Sequence, residues 1–357
     1  MFADRLTAWY QANKRPLPWR EDTDPYHIWV SEIILQQTRV QQGTDYYLRF
    51  VRRFPNVAAL AEAEEEEVLK YWQGLGYYSR ARNLHAGARY LQERYPDGFP
   101  TTYEEIRGIK GVGPYTAAAI ASFAFQLPYP VVDGNVLRVL SRVFGVEEAV
   151  DASEGRKVVE TLANSLIPKD DPATFNQAIM DFGALQCVPH QPFCTTCPFT
   201  ADCYAFRHGL QDTLPFKRHK TAQRDRYFYY WVLPQREGLY MQRRGEKDIW
   251  QGLYEFPLTE SGRALDEAAL MQRQQVLDGP LPEALLPLRL SEPFRHVLSH
   301  QVIHAQFVEL YLPEGVSVRT GAFFPFSEIR KLPVSRLIEK YLDAWWLRER
   351  HHKFFTD

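Results

Sequence analysis

Apolar residues recur at helical spacing along roughly the first half of the chain, and at strand spacing only beyond residue 226. The pattern predicts a helix over 5–19 ended by Pro16 and Pro18, then one opening at Pro25 that sets Ile28, Glu32 and Leu35 on one face. Further amphipathic helices are predicted over 43–54 and 62–72. The acidic run Glu64 to Glu67 suits a solvated helix N-terminus. An alanine-rich helix, Tyr115 to Phe125, is stopped by Pro128 and Pro130; the next, Asn135 to Phe144, carries Val136, Val139, Leu140 and Val143 at helical spacing. Helices continue to about residue 183. Strand character follows at 226–233, 239–243, 252–257 and in two segments around Ser299, with helices at 264–277 and 334–347. The expected architecture is therefore multidomain: an all-α domain over 1–209, a polar linker over 210–225 and an α+β domain over 226–357.

Composition narrows the function classes. With 45% hydrophobic residues among 357, the chain can build more than one core. It has no apolar run long enough for a membrane span and no apolar N-terminal leader, so a soluble, intracellular protein is expected, without a membrane partner. Net charge is −2. Residues 1–210 hold 21 basic against 25 acidic side chains and residues 211–357 hold 21 against 19. Neither half is a basic blanket, so any nucleic-acid contact has to use a local surface and backbone amides. The densest basic cluster is Lys217, Arg218, His219, Lys220, Arg224 and Arg226, which also reads as a solvated linker.

Candidate chemistry sits at four places. Gly111-Val112-Gly113-Pro114 sets two glycines free to take positive φ before a proline suited to a helix's first turn, so amides point outward as an anion cradle. Asp133 falls at the N-cap of the following helix, where the dipole favours an ionised carboxylate; it is either a plain cap or a functional acid. Glu32, in an apolar stripe, is either a solvated edge residue or a carboxyl with a raised pKa in a dry pocket. The loop from Gln73 to Arg80, with Gly74 and Gly76, offers Leu75 and Tyr77; these either close a helix corner or wedge into stacked bases.

All four cysteines, Cys187, Cys194, Cys197 and Cys203, fall in the pattern C-x6-C-x2-C-x5-C among three prolines. Four thiolates so close suit one metal centre rather than two disulfides. Spacing alone leaves structural zinc and an iron–sulfur cluster open.

The hairpin G-V-G, the segment V-D-G-N-V at 132–136, S-E-I-I-L-Q-Q-T at 31–38 and the cysteine spacing together resemble the endonuclease III family of helix-hairpin-helix DNA glycosylases, and within it the MutY-type adenine glycosylases. The resemblance implies a helix-hairpin-helix over about 106–125 gripping a DNA phosphate through Lys110, Gly111 and Gly113, and a 4Fe-4S cluster on the four cysteines of the loop 187–203. It implies Glu32 as general acid, Asp133 as the carboxylate stabilising a cationic sugar, and Asn135 as its hydrogen-bonding neighbour. Gln37 would fill the gap left by a flipped base, and Leu75 and Tyr77 would enter the stack. Bifunctional relatives place a lysine nucleophile where this chain has Tyr115, so a monofunctional enzyme is expected, with Tyr115 beside the sugar.

WQGLYEFPL at 250–258 resembles the Nudix-like C-terminal domain of MutY proteins, and Leu298-Ser299-His300 the loop that reads 8-oxoguanine, with Leu298 where phenylalanine is common. The helix that would hold magnesium in a Nudix hydrolase reads S-G-R-A-L-D-E-A-A-L here and lacks the carboxylate set, so base recognition is implied instead. His296, His300 and His304 are not expected to form a metal site. The implied partner is double-stranded DNA with adenine opposite 8-oxoguanine or guanine, met by a monomer in the cytoplasm, at the nucleoid in a bacterium. The rival reading is an iron–sulfur lesion sensor without glycosylase activity.

Overall fold

The computed structural model describes residues 1–218, 223–235, 237–273, 275–277, 289–312 and 316–349. The helices in chain order are α1 (Phe2–Asn13), α2 (Pro25–Leu35), α3 (Val40–Arg53), α4 (Val57–Ala61), α5 (Glu65–Trp72), α6 (Ser79–Arg94), α7 (Tyr103–Arg107), α8 (Pro114–Phe125), α9 (Gly134–Phe144), α10 (Ser153–Leu166), α11 (Pro172–Leu185) and α12 (Tyr204–His208). No described strand precedes Arg224. The first helix ends at Asn13, earlier than the predicted 19: Lys14 has already left it with ψ 138, two residues before Pro16, whose missing N–H and fixed ring bar the helix from running on, and Pro18–Arg20 form a separate 3-10 turn. The helix expected over 62–72 starts at Glu65 as α5, and the short helix α4 before it falls outside the predicted span; each has its own N-cap residue.

The chain divides into Met1–Glu62 with Asn83–Lys220, and Ala63–Arg82 with Thr221–Asp357. The first unit is helical. Its core runs from Leu6 and Tyr10 of α1 through Val136, Val139, Leu140 and Val143 of α9 to Phe175, Ile179 and Phe182 of α11, and takes in Phe199 and Cys203 beside the cysteine loop. Alternation of apolar residues three and four apart on α9 makes one face of that helix the core and leaves its N-terminus at the surface of a cavity.

Residues 63–82 were expected inside the helical domain; they pack instead with the C-terminal unit. Glu65 pairs with Arg243 at 2.9 Å, Tyr254 donates to Glu66 at 2.7 Å, and Gln73 bonds Glu339 at 2.7 Å. The acidic run is thus held by partners rather than simply solvated. The polar stretch expected as a linker from 210 also differs: Leu214 is buried in the helical core, Val150 donates to Phe216 O at 3.0 Å, and Arg218 N donates to the Asp151 carboxylate. His219 and Lys220 lie outside the described residues.

In the C-terminal unit the strands are β1 (Arg224–Val232), β2 (Pro234–Gln235), β3 (Gly238–Arg243), β4 (Tyr254–Glu255), β5 (Leu258–Ser261), β6 (Arg289–Leu290), β7 (Phe294–Val297), β8 (Gln301–Glu309) and β9 (Ala322–Pro325), with α13 (Glu267–Gln272), α14 (Phe326–Ile329) and α15 (Arg336–Glu349). One sheet runs β5-β1-β8-β6, with β7 also on β8; the other runs β2-β3-β4, with β9 on β3. β1 and β8 pair in parallel from Arg224↔Gln301 to Val232↔Glu309. Parallel central strands are covered on both faces, which is why YFYYWV shows no polar alternation. Phe228, Tyr230 and Val232 pack with Leu337, Ile338, Tyr341 and Trp345 of α15, while Tyr229, Trp231 and Leu233 pack with Leu270 of α13. Tyr341 stacks on Phe307 at 3.7 Å between centroids. The helix predicted from 264 starts at Glu267 because Asp266 caps it, accepting from Ala269 N at 2.8 Å. Arg226, expected in the solvated basic cluster, is buried and bonds Asp248, Glu260 and Gln301.

Candidate active site

Glu32 projects from α2, which Asp24 caps by accepting from Tyr26 N and which Pro25 opens. With Ile28 and Leu35 it lines a cavity of about 780 Å³ in the helical unit. Only 6% of Glu32 is exposed, so loss of water pushes its carboxyl up to about 7; a hydrogen bond from the Tyr115 hydroxyl and the charge of Arg20 oppose the shift, and Asp133 adds to it. The helical face therefore reads as the dry pocket, not the solvated edge.

Asp133 lines the same cavity from the N-cap of α9. Its carboxylate accepts from Asn135 N and Val136 N, each at 2.8 Å, and from Asn135 Nδ2 at 2.7 Å. Burial raises this carboxyl above the ordinary aspartate range even so, with the three hydrogen bonds and Arg138 acting against it. The cap expected to favour the ion thus competes with desolvation. Tyr115, in the first turn of α8, and Asn135 complete the set of residues the fold brings to one cavity, and Gln37 lines it too. Gln37 lies beyond the end of α2 in the left-handed region, φ 58, so it is turned out of the helical register.

The sequence did not single out the cationic side of this cavity. Arg15 and Arg20 line it and both bind Asp181, whose side chain is fully buried in α11; Arg20 Nη1 lies 2.9 Å from it. Burial works to raise Asp181, but hydrogen bonds from Arg20 and Arg15 hold it below the usual carboxylate range. Gln36 bonds Thr116 of α8 at 3.3 Å, fixing α2 to the hairpin helix.

The hairpin between α7 and α8 uses one of its two glycines for conformation. Gly111 has φ +82, and a Cβ there would lie 2.5 Å from Asn83 Cβ; Gly113 has φ −87 with nothing within 4 Å of its would-be Cβ. Of the two glycines free to take positive φ, only the first does. Lys110 is exposed beside them, and the first-turn amides of α8, behind Pro114, lack helical acceptors by construction.

From Asp133 a continuous line of polar contacts runs to the cysteines. Asn135 binds Asp133; Arg138 Nη2 donates to Asn135 Oδ1 at 2.9 Å, and its Nε to Cys187 O at 2.8 Å. One turn on, Arg142 donates to Cys187 Sγ at 3.5 Å, Val188 O and Pro189 O at 2.7 Å and Leu214 O at 2.9 Å. Cys187, Cys194, Cys197 and Cys203 carry no disulfide and line one small apolar cavity with Phe182 and Phe206. Among the described residues no three His, Cys, Asp or Glu form a group that could hold a metal ion. Burial pushes Cys197 up to about 11 and raises Cys194 and Cys203. Four unpaired thiols on one dry cavity, with Arg142 and the Phe199 amide aimed at sulfur, fit a cationic cluster that would stabilise thiolates.

In the C-terminal unit, Leu75, Tyr77, Ser299 and His300 line a second cavity of about 510 Å³. Leu75 is buried, so of the two loop residues only Tyr77 projects, with φ 47; its hydroxyl bonds Ser299 Oγ. The three histidines have separate surroundings: His296 packs edge-on to Trp250, His304 bonds Asp225 at 2.6 Å, and His300 is exposed.

Comparison with known proteins agrees with this layout. Residues 30–169 match the HhH-GPD superfamily of base excision DNA repair proteins and residues 229–344 the NUDIX domain family. The chain is 33% identical over 258 residues to an adenine DNA glycosylase of Buchnera aphidicola, spanning 72% of this chain and 74% of that protein. It is 33% identical to the adenine DNA glycosylase of Rattus norvegicus, over 99% of this chain and 78% of that one. A solved thermostable thymine-DNA glycosylase superposes with a TM-score of 0.54 at 29% identity, covering 58% of this chain and 95% of that one. With both of its parts matched and relatives aligned along nearly its whole length, the chain belongs to the adenine DNA glycosylases of the helix-hairpin-helix base excision repair superfamily.

Proposed function

We propose that this protein removes adenine mispaired with 8-oxoguanine or guanine in duplex DNA by hydrolysing the N-glycosidic bond, without cutting the strand. The observation that carries the reading is the pair of carboxyls on one cavity. Glu32 is dry and keeps a large protonated fraction up to about pH 7, while Asp133 is supplied with three hydrogen-bond donors that favour its anion. Cleavage passes through an oxocarbenium-like sugar and asks for such a pair.

Neutral Glu32 gives its proton to adenine N7, and the C1′–N9 bonding electrons leave with the base. Ionised Asp133 faces the cationic sugar, with Asn135 orienting it. Glu32, now a carboxylate, takes a proton from the water that attacks C1′ and returns to its starting state. Tyr115 cannot form a Schiff base, so no lyase step follows. Lys110 and the amides around Gly111 and Gly113 take a DNA phosphate. Gln37 and Tyr77 enter the duplex at the extruded nucleotide. Ser299 and His300 meet the Hoogsteen edge of the oxidised base, where N7 carries a hydrogen.

Cys187, Cys194, Cys197 and Cys203 would hold a 4Fe-4S cluster, whose chemistry here is four Fe–thiolate bonds that staple the loop. The protein acts as a monomer. No described helix is long and apolar enough to cross a membrane, which is compatible with work on DNA in the cytoplasm. The test is a duplex bearing adenine opposite 8-oxoguanine. Free adenine with an intact strand supports the glycosylase; tight binding with no release supports a lesion sensor and defeats this reading.

A further inference from the structure

Trp250 holds a backbone conformation its side chain disfavours. Its φ is 61, in the left-handed region that a residue with a Cβ rarely adopts, and Lys247 three residues earlier has φ 67. Four arginines impose that loop. Arg244 donates to Ile249 O at 2.7 Å and to Asp248 at 2.6 Å, and Arg226 donates to both oxygens of Asp248 at 2.7 Å. Arg82 donates to Gln251 O at 2.6 Å, and Arg243 to Gly252 O at 3.3 Å. A strained residue so firmly held points to a job for its side chain. The half-buried indole stands edge-on to Phe228 at 6.2 Å and to His296 at 5.7 Å, and it lines the cavity that also holds Tyr77, Ser299 and His300. At about 510 Å³ the cavity is the size of a small-ligand site.

We propose that Trp250 is a specificity-determining residue, a preset aromatic wall that fixes the plane of the purine opposite the adenine so that its Hoogsteen edge meets Ser299. This rests on the reading of the cavity given under the proposed function. Guanine has no N7 hydrogen to place, so it gains little from being oriented; 8-oxoguanine gains the bond only if its plane is set. Asp248, Arg226 and Arg244 act as positioning residues through the loop.

The test uses the full chain in the Glu32→Gln background, which binds without turnover, and measures dissociation constants for duplexes with adenine opposite 8-oxoguanine and opposite guanine. Trp250→Phe keeps a flat ring and Trp250→Leu keeps bulk without one. We expect Trp250→Phe to retain most of the preference for the oxidised duplex and Trp250→Leu to lose about tenfold of it, with cooperative thermal unfolding in both. Equal preference in the Phe and Leu variants overturns the assignment of Trp250 alone. Absence of any preference in the parent overturns both this assignment and the reading of the cavity as a base reader.

Discussion

Glu32 and Asp133 are carboxyls on one cavity with different surroundings. Glu32 has an apolar helix face around it and one hydroxyl donor, whereas Asp133 has two backbone amides and an amide side chain. The raised carboxyl of Glu32 has a stability consequence whose sign is fixed. Its pKa in the fold, about 7, lies above the ordinary value of 4.5, so the folded state holds the proton more tightly and stability falls as pH rises from about 4.5 through 7. Glu32→Gln removes that loss. We expect the variant to be more stable than the parent at pH 8, by at most about 3 kcal/mol, with no gain at pH 4. Denaturant unfolding at the two pH values checks this. Both carboxyls were singled out in the sequence with a plain alternative beside each, an edge position for Glu32 and a simple cap for Asp133, and the family resemblance chose between the readings. Arg20 and Asp181 were not singled out, because their partnership spans 161 positions and leaves no local pattern.

At the scale of elements, the hairpin and α9 do the positioning. Gly111 is required by φ +82 and by Asn83 against it, while Gly113 is in open space with ordinary φ. Gly111→Ala should therefore cost about 2 kcal/mol or more and weaken duplex binding, and Gly113→Ala should leave thermal stability nearly unchanged. Calorimetry on the two variants separates them. Two glycines two positions apart looked equivalent in sequence; the positive φ of Gly111 and the approach of α6 to the turn distinguish them. The helix ends that differed from expectation have similarly specific causes, a proline pair after α1 and an aspartate cap before α13.

At the scale of the molecule, the first strand begins at Arg224, two residues before the switch of periodicity read at 226, but the placement of 63–82 did not follow the sequence pattern. That segment reads as helix like its neighbours, and what assigns it to the C-terminal unit is its set of distant partners, Arg243, Tyr254, Leu332 and Glu339. Arg142 ties together three parts of the helical unit, α9, the first cysteine's loop and the segment at Leu214. Arg142→Met keeps the volume of the stem but leaves three carbonyls without this donor, the buried one at Leu214 among them, a loss of about 1–3 kcal/mol. We expect less iron per purified chain and a lower melting temperature, read by iron analysis and thermal denaturation.

The opposed protonation states proposed for Glu32 and Asp133 are tested most directly by the single-turnover rate of adenine release from a duplex with adenine opposite 8-oxoguanine, followed from pH 5.5 to 9 for the parent, Glu32→Gln and Asp133→Asn. We expect the parent rate to fall as pH rises through about 7 and each variant to lose at least about a hundredfold in rate at pH 6, while duplex affinity stays within a few-fold. A flat profile in the parent, or variants that release adenine at the parent rate, would contradict it.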